Sequence, residues 1–138
     1  MSVDTFALDT RLANDTRHVT SLALCDVLLM NDARFPWLVL VPRQAGLVEI
    51  GDLAPEQQLV LWQEVNHAAQ VLRDVVPFEK LNLGALGNIV RQLHVHVVGR
   101  SEGDAAWPGP VWGSGRSDAY GEDMLASLVT RLHRALLA

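Results

Sequence analysis

The residues with the most chemistry lie in QLHVHVVGR, residues 92–100, where His94 and His96 stand two apart in an apolar run. Side chains two apart on a β-strand share a face, with Cα atoms about 6.5–7 Å apart. Gln92, His94 and His96 are therefore expected to face a cleft together, with Leu93, Val95 and Val97 on the core side. Two imidazoles so placed can bind a metal, act as nucleophile and proton carrier, or be structural. Just upstream, NLGALGNIV supplies Asn82, Gly84, Gly87 and Asn88. Glycines let a ligand approach the backbone closely, so a glycine loop feeding a His-x-His strand can cradle an anion beside a ring nitrogen.

The metal alternative has a definite outline: Gly, then His-x-His, then a later Glu, as in cupins. Gly87 stands seven before His94 and Glu102 six after His96, each one residue off that outline, and no second His motif follows. A long mid-chain helix also suits a cupin poorly. No metal ligands are assigned. A purely structural, edge-strand role is disfavoured by the flanking valines and leucines.

The elements that must position these residues follow from patterning. Three short apolar runs, HVTSLALC, DVLLMND and PWLVLVPR, are separated by turn-forming residues and predict consecutive antiparallel strands. EIGDLAPEQQ leads into a helix, with Pro55 at its first position. Leu59, Trp62, Val65, Ala69 and Leu72 recur at three and four and predict its buried face. Pro77 ends it. KLNLGAL and QLHVHVVG predict two more strands joined by a tight Gly87-Asn88 connection. After a Gly-, Pro- and Trp-rich loop at 102–117, a helix from about Tyr120 presents Leu125, Leu128, Leu132 and Leu136. The order β-β-β-α-β-β-α predicts an α+β fold and disfavours a Rossmann-type sheet.

The 138 residues are expected to form a single domain. The net charge of -5 and the lack of a basic run argue against extended nucleic-acid binding. They leave open a small phosphate ester held by a local pocket. No apolar run approaches the roughly 20 residues of a membrane span. The N-terminus, with Asp4 and Asp9, lacks the order of a signal peptide. Cys25, the only cysteine, fits a reducing cytoplasm, and its setting LALCDVLL is that of a small buried hydrophobe.

QLHVHVVGR with the preceding N-x-G-x-x-G-N resembles the active-site strand of the histidine-triad (HIT) superfamily. LVLVPR, IGDLAPEQ and the Trp-Pro of AAWPGP have similar counterparts there, so the resemblance spans roughly 18–112, with 118–138 as a variable helical extension. It implies a five-stranded antiparallel sheet with one long helix, usually a homodimer, that binds nucleotides and cleaves at the α-phosphate. PWLVLVP and the long helix are expected to supply apolar surface for the dimer. His94 matches the nucleophile that forms a nucleotidyl-histidine intermediate. His96 matches the histidine that contacts phosphate and assists the leaving group. Asn82, Gly87, Asn88 and Ile89 match the phosphate-binding loop, and Asp32 the acid that binds the ribose hydroxyls.

The sequence departs from the family at two points. Gln92 replaces the first triad histidine; it can hydrogen-bond but not titrate, and is counted with the substrate-binding positions. Ile89 stands where a small hydroxyl is usual. Retention of His96 favours hydrolysis over transfer to a second phosphate.

The implied activity is a nucleotide hydrolase cleaving a phosphoramidate or phosphoanhydride bond, with no metal or other cofactor required. The alternative is a nucleotide-binding module with little or no turnover. Elsewhere, His67 is expected partly exposed, His133 to suit a helix dipole, and His18 to lack a partner. Trp107 and Trp112 are expected to anchor their loop, Trp107 also resembling a residue that crosses the family's dimer. Arg100 is expected to cap its strand.

Overall fold

The computed structural model describes residues 5–138, so the expectation about the extreme N-terminus, including Asp4, lies outside the described residues. Five antiparallel strands form one sheet in the order β1-β2-β3-β5-β4: β1 (Thr16–Ser21), β2 (Cys25–Met30), β3 (Trp37–Pro42), β4 (Lys80–Gly84) and β5 (Val95–Arg100). A long helix, α2 (Pro55–Val75), follows β3, and α3 (Glu122–Leu137) closes the chain. The α+β expectation is met. A short helix, α1 (Thr10–Asp15), precedes β1 and was not expected from the sequence.

The alternation within the strands divides the molecule into two apolar layers. Val27 and Leu29 of β2, Leu38 and Leu40 of β3, and Val95 and Val97 of β5 pack with α2 and α3. Leu28, Val39, Val41 and Val98 face the other way, where Leu12 of α1 and Val111 cover them. The α3 leucines 125, 128, 132 and 136 are buried as expected and belong to the first layer. His67 ties the two helices by a hydrogen bond to the Leu136 carbonyl, 2.8 Å. His133 hydrogen-bonds the Val19 carbonyl in β1 rather than serving its own helix end. His18 has partners after all, Ser21 and Asp26.

Three expectations need correction. Leu59 and Trp62 are 68% and 43% exposed; the buried stripe of α2 runs through Leu61, Glu64, Val65, Ala68, Ala69, Val71 and Leu72. Apolar residues occur on both sides of the first turns, and the buried Glu64 disguises the true face. Next, β4 and β5 are joined by a ten-residue loop, 85–94, not a tight hairpin. Finally, β3 lies between β2 and β5 and is buried throughout, so PWLVLVP offers no surface to a partner.

Glu64 is the polar tie of the helical layer. Its two carboxylate oxygens accept the Cys25 N–H at 2.8 Å and the Leu24 N–H at 3.0 Å, satisfying the turn between β1 and β2. Burial and the adjacent Glu64 push the Cys25 thiol far above its ordinary value, so it serves as a buried hydrophobe. Glu64→Gln turns one acceptor into a donor facing a buried N–H. It is expected to cost about 1.5–3 kcal/mol, read as a lowered urea midpoint with unchanged slope.

Candidate active site

His94 is the last residue of the 85–94 loop, and His96 is the second residue of β5. Both are buried, at 6% and 7% exposure, with ring centroids 4.9 Å apart. The expected division of faces holds for Leu93, Val95 and Val97 against the two histidines. Gln92 departs from it. It lies before the strand, and its side chain turns away to the N-terminal segment, accepting the Asp9 N–H and donating to the Ala7 carbonyl.

The two imidazoles are held in opposite tautomers, as assigned from their partners. Nδ1 of His94 lies 2.6 Å from the Gln92 carbonyl oxygen, which can only accept, so Nδ1 carries the proton and Nε2 a free lone pair. Nδ1 of His96 receives the indole N–H of Trp37 at 3.0 Å, so it is the unprotonated nitrogen and Nε2–H is the donor. The site thus combines one nucleophilic lone pair with one hydrogen-bond donor. Burial, followed by the neighbouring His94, pushes the His96 pKa down to about 4. The Trp37 N–H opposes a second ring proton in the same direction, because that proton would meet another donor.

Packing fixes His96 further. The rings of Trp37 and Trp112 meet it edge-on, with centroids 5.6 and 5.5 Å away. Gly84 lies opposite His96 across β4 and β5, and a Cβ there would come within 2.8 Å of Trp112. The Trp112 indole N–H is buried and has no hydrogen-bond partner among the described residues.

Both histidines line a cleft of about 880 Å³. The loop contributes Gly87, Asn88 and Ile89; α1 contributes Arg11, Leu12, Asn14 and Asp15; Asp32, Arg34 and Trp112 form other parts of the wall. Gly87 adopts φ +71°, a left-handed backbone that glycine takes without steric cost. Ile89 is 77% exposed. On the other side of the loop, a second cavity of about 350 Å³ is lined by Gln92, Glu49, Arg91 and His94. Among the described residues, no group of three or more His, Cys, Asp or Glu is arranged to hold a metal ion.

Two expected ligand residues are already engaged within the protein. Asn82 shares the sheet face of His96, but its amide oxygen accepts from Arg100 at 3.1 Å and it does not line the cleft. Arg100 is buried and paired with Asp104 at 2.8 and 2.9 Å, a structural role consistent with capping its strand. Its guanidinium also lies over the Trp107 ring, which anchors that loop. Asp32 lines the cleft, yet both its oxygens bond Arg34 and one also accepts the Asp118 N–H. Burial alone would raise the Asp32 pKa; the Arg34 hydrogen bonds and these N–H donors outweigh it and hold it low.

Sequence reasoning missed Trp37 and the α1 residues. Trp37 reads as an ordinary strand aromatic, and its role depends on register: it pairs with Val98, next but one to His96. A short helix of mixed polarity has no periodic signature.

The amino-acid stretch 11–103 matches the HIT domain. A histidine-triad protein from Sinorhizobium meliloti 1021 is 47% identical, with 95% of this chain and 97% of that chain covered and a TM-score of 0.92. One from Marinobacter aquaeolei VT8 is 44% identical (97% and 98% covered, TM-score 0.93), and one from Bradyrhizobium japonicum 41% (96% and 99%, TM-score 0.93). A comparison with curated proteins gives no match.

Two outcomes follow from the buried groups. The unfolded chain takes up a proton on His96 below about 6.5, which the folded ring refuses until about 4. Stability is therefore complete above that window and falls as pH drops through it, by up to roughly 3 kcal/mol. Urea titrations from pH 7 to 4 should show this loss, reduced in His96→Asn. Asp32→Asn leaves the Arg34 guanidinium with the Ser114 carbonyl but without its carboxylate, and should lower the urea midpoint in the same measurement.

Proposed function

Because the chain belongs to the HIT family, whose members generally bind and hydrolyse nucleotides, we propose that it cleaves a phosphoramidate or phosphoanhydride bond at the α-phosphate of a purine nucleotide. The observation that carries this reading is the pair of opposite tautomers: a lone pair on His94 beside a donor on His96. Nε2 of His94 attacks phosphorus as the bond to the leaving group breaks, and the leaving group departs with that bond's electrons and a proton drawn from solvent, which the attacking water of the second step returns. Water then displaces the histidine and releases the nucleoside monophosphate. Splitting one displacement into two lowers each barrier.

His96 acts in this scheme as a neutral donor to a phosphoryl oxygen, a contact of a kind worth roughly 3–4 kcal/mol in a transition state. Its low pKa argues against its supplying the leaving-group proton. Backbone N–H groups around Gly87, Asn88 and Ile89 complete the phosphate cradle. This reading assigns the ribose end of the cleft to the Asp32–Arg34 pair, which lines its wall. Asn82 acts through Arg100 and not on phosphate directly.

A homodimer is part of the proposal. It is supported by the edge position of β4 and by exposed Leu83 on β4 and Leu59 and Trp62 on α2. A reducing, cytoplasmic setting is supported by the lone buried cysteine. A second reading, a nucleotide-binding module with little turnover, is favoured by Gln92 and by Ile89, which offers no hydroxyl to phosphate.

The test is release of AMP from adenosine 5′-phosphoramidate, together with AMP binding, for wild-type protein and His94→Ala. Release that falls at least a thousandfold in the variant, the scale of losing a nucleophile, is expected. Equal release by both would overturn the role of His94. Binding without release by either would favour the binding module, and no binding would overturn a nucleotide function.

A further inference from the structure

Gln92 touches both the nucleophile and the N-terminal segment. Its backbone carbonyl accepts the His94 Nδ1–H at 2.6 Å. Its side-chain amide accepts the Asp9 N–H at 2.9 Å and donates to the Ala7 carbonyl at 2.8 Å. That donor and acceptor on one amide edge act on the segment as a neighbouring strand's peptide group would. An imidazole cannot copy this, because its two nitrogens diverge on opposite sides of the ring.

The latched segment then runs into the cleft wall. Phe6 and Leu8 pack on the apolar layer that holds Trp37, and Leu12 is buried in it. Asp9 caps α1 by accepting the Arg11 N–H at 2.8 Å. The charged residues lining the cleft are Arg11, Asp15, Asp32 and Arg34. Arg34 is committed to Asp32, whereas Arg11 is exposed and, among the described residues, has no ion-pair partner.

We propose that Gln92 is a positioning residue that latches residues 5–15 onto the active site, and that the segment so held delivers Arg11 to the cleft as a ligand for the nucleotide's anionic group. The proposal rests on the nucleotide reading above for its ligand, but the latch itself does not depend on it. It gives the glutamine at this position a function that a histidine would not fulfil. It also couples docking of the segment to the orientation of His94 through a single residue.

The experiment uses the full chain as wild type, Gln92→Ala, Gln92→His, Arg11→Gln and the Gln92→Ala/Arg11→Gln double variant. Amide exchange of Asp9 reports the latch, and AMP affinity at low and high salt reports the site. Both Gln92 variants should lose Asp9 protection and bind AMP roughly tenfold more weakly, the scale of one charge-assisted contact. Arg11→Gln should keep Asp9 protected, weaken AMP similarly and flatten the salt dependence. The double variant should be no weaker than either single one, since both act through one contact.

Unchanged AMP affinity in Gln92→Ala with Asp9 exposed would overturn the segment's place in the site. Wild-type affinity and salt dependence in Arg11→Gln would overturn its role as ligand. Asp9 still protected in both Gln92 variants would overturn the latch. A wild-type protein that binds no AMP would overturn the nucleotide reading and the role of Arg11 together, while Asp9 exchange would still decide the latch.

Discussion

The hydrogen bond from the Trp37 indole to Nδ1 of His96 is the constraint on which the site depends. Two imidazoles less than 5 Å apart and out of water cannot both be charged, and two neutral rings free to choose tautomers would present no defined chemistry. A donor with no acceptor capacity settles His96, and a carbonyl with no donor capacity settles His94. Everything around them serves to keep those two partners in place. β3 carries Trp37 at the centre of the sheet, the helical layer holds Leu93, Val95 and Val97, and Gly84 admits Trp112 close to the His96 ring.

Beyond the apolar layers, a small number of polar ties position the loops. Glu64 fixes the turn between the first two strands, and Asp32 joins the loop after β2 to the segment before α3. Arg100 gathers Asn82 from β4 and Asp104 from the following loop. Each tie saturates a buried charge with partners of fixed geometry, the condition under which such groups are tolerated inside a protein. Their common effect is a rigid frame around a cleft. The His94 lone pair, the His96 N–H and Arg11 face that cleft from three elements.

Strand alternation and the QLHVHVVGR motif made the sheet, the facing of His94 and His96, and the buried stripe of α3 legible in the sequence. The face of α2 was misread because Leu59 and Trp62 mimic a core stripe while the true one contains a glutamate. Gln92 was placed beside the histidines because a period of two was extended past the strand's real beginning at Val95. Trp37 acts on His96, 59 residues further along the chain, through strand register, and single-sequence patterns carry no information about such a pairing. Asp32 lines the cleft, whereas Asn82 shares only the sheet face of His96. Their hydrogen-bond partners, which decide what each is free to do, emerge only from the packed structure.

The account stands on opposite tautomers in two adjacent buried rings, and long-range ¹H–¹⁵N correlation of the imidazole nitrogens measures these directly. His94 should show a protonated Nδ1 with an unprotonated Nε2, and His96 the reverse. His96 should stay neutral as the pH is lowered past 6. The same tautomer in both rings, or a His96 imidazolium near pH 7, would contradict the account.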